Sequence, residues 1–380
     1  MIYMLDELNI FGFRRYSELT LNNLGRINFI LGDNNIGKTS ILEAVFTWAC
    51  GQNTIPMINI PLARGRFSNM QSAAYWEMEE LLSMVHDHSA IPFHMRFDGK
   101  VNGQRESFSH TIVPSELLTD YDISYKDRNV EFVSKTNNVN YLGPINLTPL
   151  QPVNPVTIAE WSVIHNNDEK DVEKILLTAP VSHTSTRKPF CMAKFIDVLS
   201  QTGIQETAQI YAALKRERLI HEVSEEIGKI YPDIIGFDMI PYPDGSQAPV
   251  SVVRRDGSLL PLYTYGDGVQ RWFYILGCLA LYRDSILCID EIDSGFHPKA
   301  QEEFCRHLIE DTVRYNVQLF ISTHNLEFLD NFLSAAQDTG LPEDIRIISL
   351  KEDDNTIRAR SLNAKEAYQA RKKFNLEMRG

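Results

Sequence analysis

A chain of 380 residues with 43% hydrophobic and 23% charged residues has the composition of a soluble globular protein, long enough for about two or three domains. Its formal net charge of −13 argues against a broad basic face for nucleic acid, and no apolar run approaches the ~18 residues that a membrane span needs. The opening MIYMLDELNIF has neither a basic leader nor a small-residue cleavage site, and the five cysteines form no Cys-x-x-Cys pair, so a reducing cytoplasm is the expected location.

In chain order, Leu5–Phe13 and residues 17–21 read as strands around a turn that carries Arg14 and Arg15. Either arginine could touch a nucleotide, Arg14 being the expected contact, and a surface hairpin tip is the plainer reading. Ile27–Leu31 is an apolar run suited to a buried parallel strand, and residues 40–50 carry apolar residues at helical spacing. Between them stands GDNNIGKTS, residues 32–40, with the pattern Gly-x-x-x-x-Gly-Lys-Thr. Strand, glycine loop and helix in that order make a phosphate-binding loop from Gly32, Asp33, Asn34, Asn35, Ile36, Gly37, Lys38, Thr39 and Ser40. Backbone N–H groups and the helix N-terminus would cradle a phosphate, Lys38 would reach the β- and γ-phosphates of ATP, and Thr39 would place its hydroxyl on Mg²⁺.

Residues 51–70 have weak patterning, and 75–88 read as a helix. Short alternating runs at 92–97, 106–113, 121–125 and 129–133 suggest an antiparallel β subdomain. Four prolines in 137–155 place a boundary near 150. Residues 156–235 are mainly helical by pattern, an amphipathic lobe far too short for a long coiled-coil arm. Three strands with tight turns follow at 237–241, 249–254 and 259–263. From Gly266 onward strands and helices alternate, with helices at 269–282 and 298–315, buried strands at 285–289 and 317–322, a helix from Leu326 and a closing hairpin. The fold class is α/β with a mainly parallel sheet. The expected domains are 1–150 with the phosphate loop and β subdomain, 151–235 as an inserted helical lobe, and 236–380 as a C-terminal lobe.

The strand ending at Ile289 delivers Asp290 and Glu291. An apolar strand that presents two carboxylates at its C-terminal end is a Walker B arrangement, with Asp290 holding Mg²⁺ and Glu291 acting on the attacking water. The strand 317–322 leads to His324, which would face the γ-phosphate, or else cap the next helix. The 252-residue interval from Lys38 to Asp290 exceeds what a compact GTPase or hexameric AAA+ module allows, and no Asn-Lys-x-Asp guanine motif is present. His86-Asp-His88 reads as solvent-facing rather than as a metal pair, and Asp353-Asp354 as a hairpin turn.

The pieces LNIFGFRRYSELTL, INFILGDNNIGKTSILEAV, YGDGVQRWFYILGCLA, ILCIDEIDSGFHPKAQEEF, QLFISTHNLEFLD and FNLEMR resemble those of RecF/SMC-like ABC-type ATPases. Within that group the resemblance is closest to the OLD-like (overcoming lysogenization defect) bacterial defence ATPases. It implies a split ABC-type P-loop ATPase head with a head-to-tail homodimer around ATP and Mg²⁺. Gly266, Asp267 and Gly268 would then be the signature that meets the partner subunit's γ-phosphate, and Asp293–His297 the D-loop region. Gly266 stands where that family has serine, which argues for slow closure. The Q-loop glutamine is not evident, with Gln71 and Gln104 as unpersuasive candidates. The 56 residues after His324 leave no room for a TOPRIM nuclease, so a separately encoded effector, a nuclease or toxin in phage defence, is the expected partner. Two alternatives stand beside this reading: a RecF-like repair ATPase that binds DNA directly, and a nucleotide-locked scaffold that hydrolyses ATP slowly or not at all.

Overall fold

The structure, a computed structural model, describes residues 4–54, 56, 84–86, 92–114, 121–126, 129–134, 140–144, 159–168, 171–177, 187–198, 200–201, 203–240, 249–293, 298–354 and 356–374. β1 (Leu5–Phe13) and β2 (Tyr16–Leu21) pair antiparallel around Arg14 and Arg15. β3 (Ile27–Leu31) is buried at every residue, as a strand covered on both faces must be, and runs through the glycine loop into α1 (Lys38–Cys50). β4 (Phe93–Val101) alternates buried and exposed residues and pairs with β1 on one side and β5 (Gln104–Pro114) on the other. β6 (Tyr121–Lys126), β7 (Asn129–Ser134) and β8 (Asn140–Pro144) form their own antiparallel meander.

The expectation of helix through most of 156–235 is corrected. β9 (Ala159–His165) and β10 (Val172–Leu177) extend the first sheet, giving the order β10-β9-β5-β4-β1-β2. Trp161 and Val163 are fully buried, and they pair across β5 with Ile112 and His110, so a period of two governs where a helical period was read. β11 (Ala193–Ile196) is a strand of the parallel sheet, and helix begins only with α2 (Ile204–Arg216) and α3 (Ile220–Ile230). A boundary near 150 therefore falls between β5 and β9, which are neighbours in one sheet. The helix read at 75–88 lies outside the described residues apart from 84–86, where Val85 bridges to Phe13.

β12 (Ile234–Asp238), β13 (Ser251–Arg254) and β14 (Leu259–Pro261) make a small antiparallel sheet before α4 (Asp267–Leu281). Then come β15 (Ile286–Ile289), α5 (Pro298–Arg314), β16 (Gln318–Ser322), α6 (Leu326–Asp338), the hairpin of β17 (Ile345–Asp353) and β18 (Thr356–Asn363), and α7 (Ala364–Phe374). The second large sheet has the order β11-β15-β16-β3-β17-β18, parallel except at β18. Phe29, Leu287, Ile289, Leu319 and Ile321 join a core with the helices α2 to α6. Ile30, Ile286, Cys288, Phe320 and Ile348 join a second core with α1 and the antiparallel sheet. All five cysteines are buried free thiols.

An ionic network ties α3 to α5. Arg314 reaches Glu222 at 3.0 Å and also Glu226, Arg283 reaches Glu222 at 2.9 Å, and Lys229 pairs with Glu226 at 2.5 Å. Asp311 lies beneath these groups, and burial, with the Glu226 charge beside it, pushes its carboxyl up to about 7. Folded chain thus keeps a proton on Asp311 that unfolded chain loses near 3.8, so stability from this group falls as pH rises from about 4 to about 7. Asp311→Asn should flatten that part of the pH dependence of the urea midpoint and raise the midpoint at pH 8. Parallel curves for the variant and the wild type would refute the assignment.

Candidate functional site

The C-terminal ends of β3, β15 and β16 lie side by side, and the candidate residues stand there. Within the phosphate loop, Asp33, Asn34 and Asn35 are exposed, Ile36 is buried, and Lys38, Thr39 and Ser40 open α1 half-buried. Gly37 has φ of 106° and an added Cβ would meet Tyr16 Oη at 2.5 Å, so only glycine fits. Tyr16 Oη donates to the Gly37 carbonyl at 2.7 Å. No side chain caps the N-terminus of α1 and no acidic residue stands in its first turn, which suits an anion. Lys38 Nζ donates to the Gly32 and Asp33 carbonyls, each at 2.9 Å, at the mouth of the loop.

Thr39 Oγ1 donates to Asp290 Oδ1 at 3.2 Å, joining residues that are 251 apart in sequence. Ser322 Oγ donates to the same Asp290 oxygen and accepts the Glu291 N–H at 2.9 Å. A hydroxyl and a carboxylate oxygen side by side are the hard oxygen donors that Mg²⁺ takes. Glu291 is half-buried with φ of 48°. His324 is exposed at the end of β16. The cap of α6 is Asn325, whose Oδ1 accepts from Glu327 N at 2.9 Å and Phe328 N at 3.2 Å, so His324 is not the capping residue.

Arg14 is turned to α1. Its Nε lies 2.7 Å from Glu43 Oε2, and the Glu43 side chain is fully buried. Arg15 is the arginine on the phosphate loop: it donates to the Asn35 carbonyl and pairs with Glu352 at 3.2 Å. Gly266 has φ of 93°, Asp267 opens α4 and Gly268 follows in its first turn. Asp293 is buried and accepts from Thr323 Oγ1, whereas residues 294–297 of the expected D-loop lie outside the described residues. Gln71 also lies outside them, and Gln104 begins β5 in the antiparallel sheet.

Sequence reasoning missed Gln201 and Arg271. Gln201 follows β11, is fully buried, and donates to the Asp290 carbonyl at 3.2 Å. Arg271 on α4 donates to Gln201 Oε1 at 3.1 Å. Burial lowers the Arg271 pKa while the carboxylates of Asp267, Asp293 and Glu291 act against that shift. The one signal available was the apolar pair Phe195-Ile196, which reads equally as strand or helix. Outside the site, His86 Nδ1 contacts the Arg14 carbonyl at 2.8 Å, and Asp354 stands in the β17–β18 turn. Elsewhere Arg254 pairs with Asp233 and Asp256, and Arg371 with Asp330.

Residues 194–330 match the family described as "AAA domain, putative AbiEii toxin, Type IV TA system", and residues 7–141 match a second family described as "AAA domain". The chain is 19% identical to an ATP/GTP phosphatase of Helicobacter pylori over 93% of this chain and 94% of that protein. It is 42% identical to the DNA replication and repair protein RecF of Idiomarina loihiensis over 30% of this chain and 32% of that one. A solved Pyrococcus furiosus Smc head with an extended coiled coil aligns over 99% of this chain and 100% of that chain, at 11% identity and a TM-score of 0.46. The site and the sequence matches define a P-loop ATPase. Within that class the chain is similar to RecF over 30% of its length. Among the described residues no helix is long and apolar enough to cross a membrane.

Lys38→Ala should abolish ATP binding or weaken it severely, because a phosphate in the loop would lose its nearest cation. Calorimetry reads this directly, and unchanged affinity would remove the phosphate-loop assignment.

Proposed function

We propose that the chain hydrolyses ATP with Mg²⁺ as a head-to-tail dimer in the cytoplasm, and that its nucleotide state controls a separately encoded partner. The observation that carries the reading is the 3.2 Å contact between Thr39 Oγ1 and Asp290 Oδ1, which brings the two halves of an ATP site together. Lys38 would leave the loop carbonyls for the β- and γ-phosphates. Thr39 and Asp290 would hold Mg²⁺, which when bound neutralises charge on the phosphate oxygens. Glu291 would orient the attacking water and take its proton, and His324 would face the γ-phosphate. Gly266, Asp267 and Gly268 of one subunit would meet the phosphates held by the other, and the D-loop region would line the same interface.

The family description attaches the toxin of a Type IV TA system to the AAA domain itself, which supports a defence-linked role, while the separate effector rests on the OLD-like resemblance alone. The RecF match favours a second reading, direct DNA binding, while the −13 charge and the paired arginines weigh against it. Strong stimulation of hydrolysis by DNA would reverse that order.

Two experiments test the main reading. Glu291→Gln should lower hydrolysis by ~10²–10⁴-fold while ATP binding survives, the usual loss for a general base. Asp290→Asn should instead weaken Mg²⁺-dependent binding. For the dimer, Lys38→Ala and Gly268→Arg subunits should each be inactive alone and should recover hydrolysis when mixed, since one composite site stays intact. No recovery in verified mixed dimers would rule out composite sites.

A further inference from the structure

A single peptide group separates Asp290 from Glu291, and side chains hold both of its polar ends. The Asp290 carbonyl accepts from Gln201 Nε2 at 3.2 Å, and the Glu291 N–H donates to Ser322 Oγ at 2.9 Å. That grip matters because Glu291 sits at φ of 48°, a left-handed conformation that a glutamate adopts only when its surroundings impose it.

Gln201 can do this in one orientation only. Its amide is fully buried, with Nε2 donating to the carbonyls of Asp197 (3.0 Å) and Asp290, and Oε1 accepting from Arg271 Nη1 (3.1 Å). Flipping the amide would set its oxygen against two carbonyl oxygens and its NH₂ against a guanidinium. Arg271 therefore decides which end of the amide faces Asp290. Arg271 is itself 6% exposed, its Nε has no hydrogen-bond partner among the described residues, and it lies on α4 three residues after Gly268. The carboxylates of Asp267, Asp293 and Glu291 offset part of the cost of burying this cation.

We propose that Gln201 and Arg271 are positioning residues: together they fix the Asp290–Glu291 peptide, and so the Glu291 carboxylate, and they make its placement follow any displacement of α4. The inference rests on the reading of Glu291 as the group that acts on water. It gives Gln201 a backbone to hold, with no contact to metal or phosphate required. The helix that begins at Gly266–Gly268 then reaches the catalytic strand of its own subunit through one buried side-chain pair.

The test uses the full chain and measures kcat and Mg²⁺-ATP affinity separately for Gln201→Leu, Gln201→Glu, Arg271→Met and Arg271→Lys. A carboxylate misplaced by about an ångström should lower kcat by ~10–100-fold. ATP affinity should stay within about threefold, since the phosphate loop and Thr39 are untouched. Arg271→Lys keeps a buried cationic donor and should recover at least part of the loss, and it serves as the readable variant if Arg271→Met does not fold. The double variant Gln201→Leu/Arg271→Met should be no slower than the worse single one, because both break the same link. Wild-type kcat in the single variants, equal losses in kcat and affinity, or additive losses in the double variant would each overturn the proposal. Glu291→Gln measured alongside separates the two failures. Wild-type hydrolysis in that variant removes the base reading and this inference with it, whereas a large loss there with unaffected Gln201 and Arg271 variants removes this inference alone.

Discussion

Ser322 is the last residue of β16, which hydrogen-bonds to the phosphate-loop strand on one side and to the acidic strand on the other. Its hydroxyl donates to Asp290 and accepts from the Glu291 backbone, so the depth at which the two carboxylates stand is set by the register of this strand. That register is enforced by burial. Phe320 faces the core under α1, and Ile321 faces the helical core opposite. A one-residue slip would turn each into the wrong core and would carry the Ser322 hydroxyl away from Asp290. Packing thus fixes where the chemistry can occur, and the parallel sheet presents it at the C-terminal edge, where α/β proteins bind their ligands.

The antiparallel sheet serves the same site through three consecutive residues. Arg14 pairs with Glu43 of α1, Arg15 lies on the Asn35 carbonyl, and Tyr16 holds the Gly37 carbonyl. The Glu43 carboxylate is fully buried, so loss of Arg14 would strand a charge in the core, and such losses typically cost about 3–5 kcal/mol. The β1–β2 turn therefore clamps both the loop and the helix behind it. Gln318 adds a second tie, donating from Nε2 to the carbonyls of Leu5 at 2.8 Å and Gly25 at 2.9 Å. Both contacts cross from the parallel sheet to the chain's first segment. The two sheets are thereby joined by polar contacts as well as by the core under α1.

What was legible in the sequence is what short-range physics dictates. The phosphate loop, the acidic strand end and the strand–helix alternation after Gly266 each declare themselves within about ten residues. The misread stretch, 156–235, failed for two identifiable reasons. In β9 the alternation of two runs only from Glu160 to Val163 before Ile164 places an apolar residue on the outer face. In β11 four residues flanked by loops are too few for periodicity to decide between strand and helix. Gln201 was invisible for a related reason. Its importance comes from β11 pairing with β15, a contact that spans about 90 residues of sequence and has no local signature. Arg14, the arginine expected to touch the nucleotide, could be told from Arg15 only once the fold paired Arg14 with Glu43 and left Arg15 on the loop.

Gly266 is the position where the resemblance to ABC-type signatures is weakest, and its backbone explains the departure. At φ of 93° an L-residue is strained, although none of the described residues comes within 4 Å of an added Cβ. Among the described residues the obstacle to serine here is thus the backbone conformation. A hydroxyl restored at 266 would either tolerate the strain or shift the turn that starts α4. Because Arg271 sits one turn into that helix and reaches Gln201, such a shift would propagate toward the Asp290–Glu291 peptide. On the proposed reading the glycine and the buried pair belong to one arrangement, in which the φ of Gly266 sets the start of α4 from which Arg271 reaches Gln201.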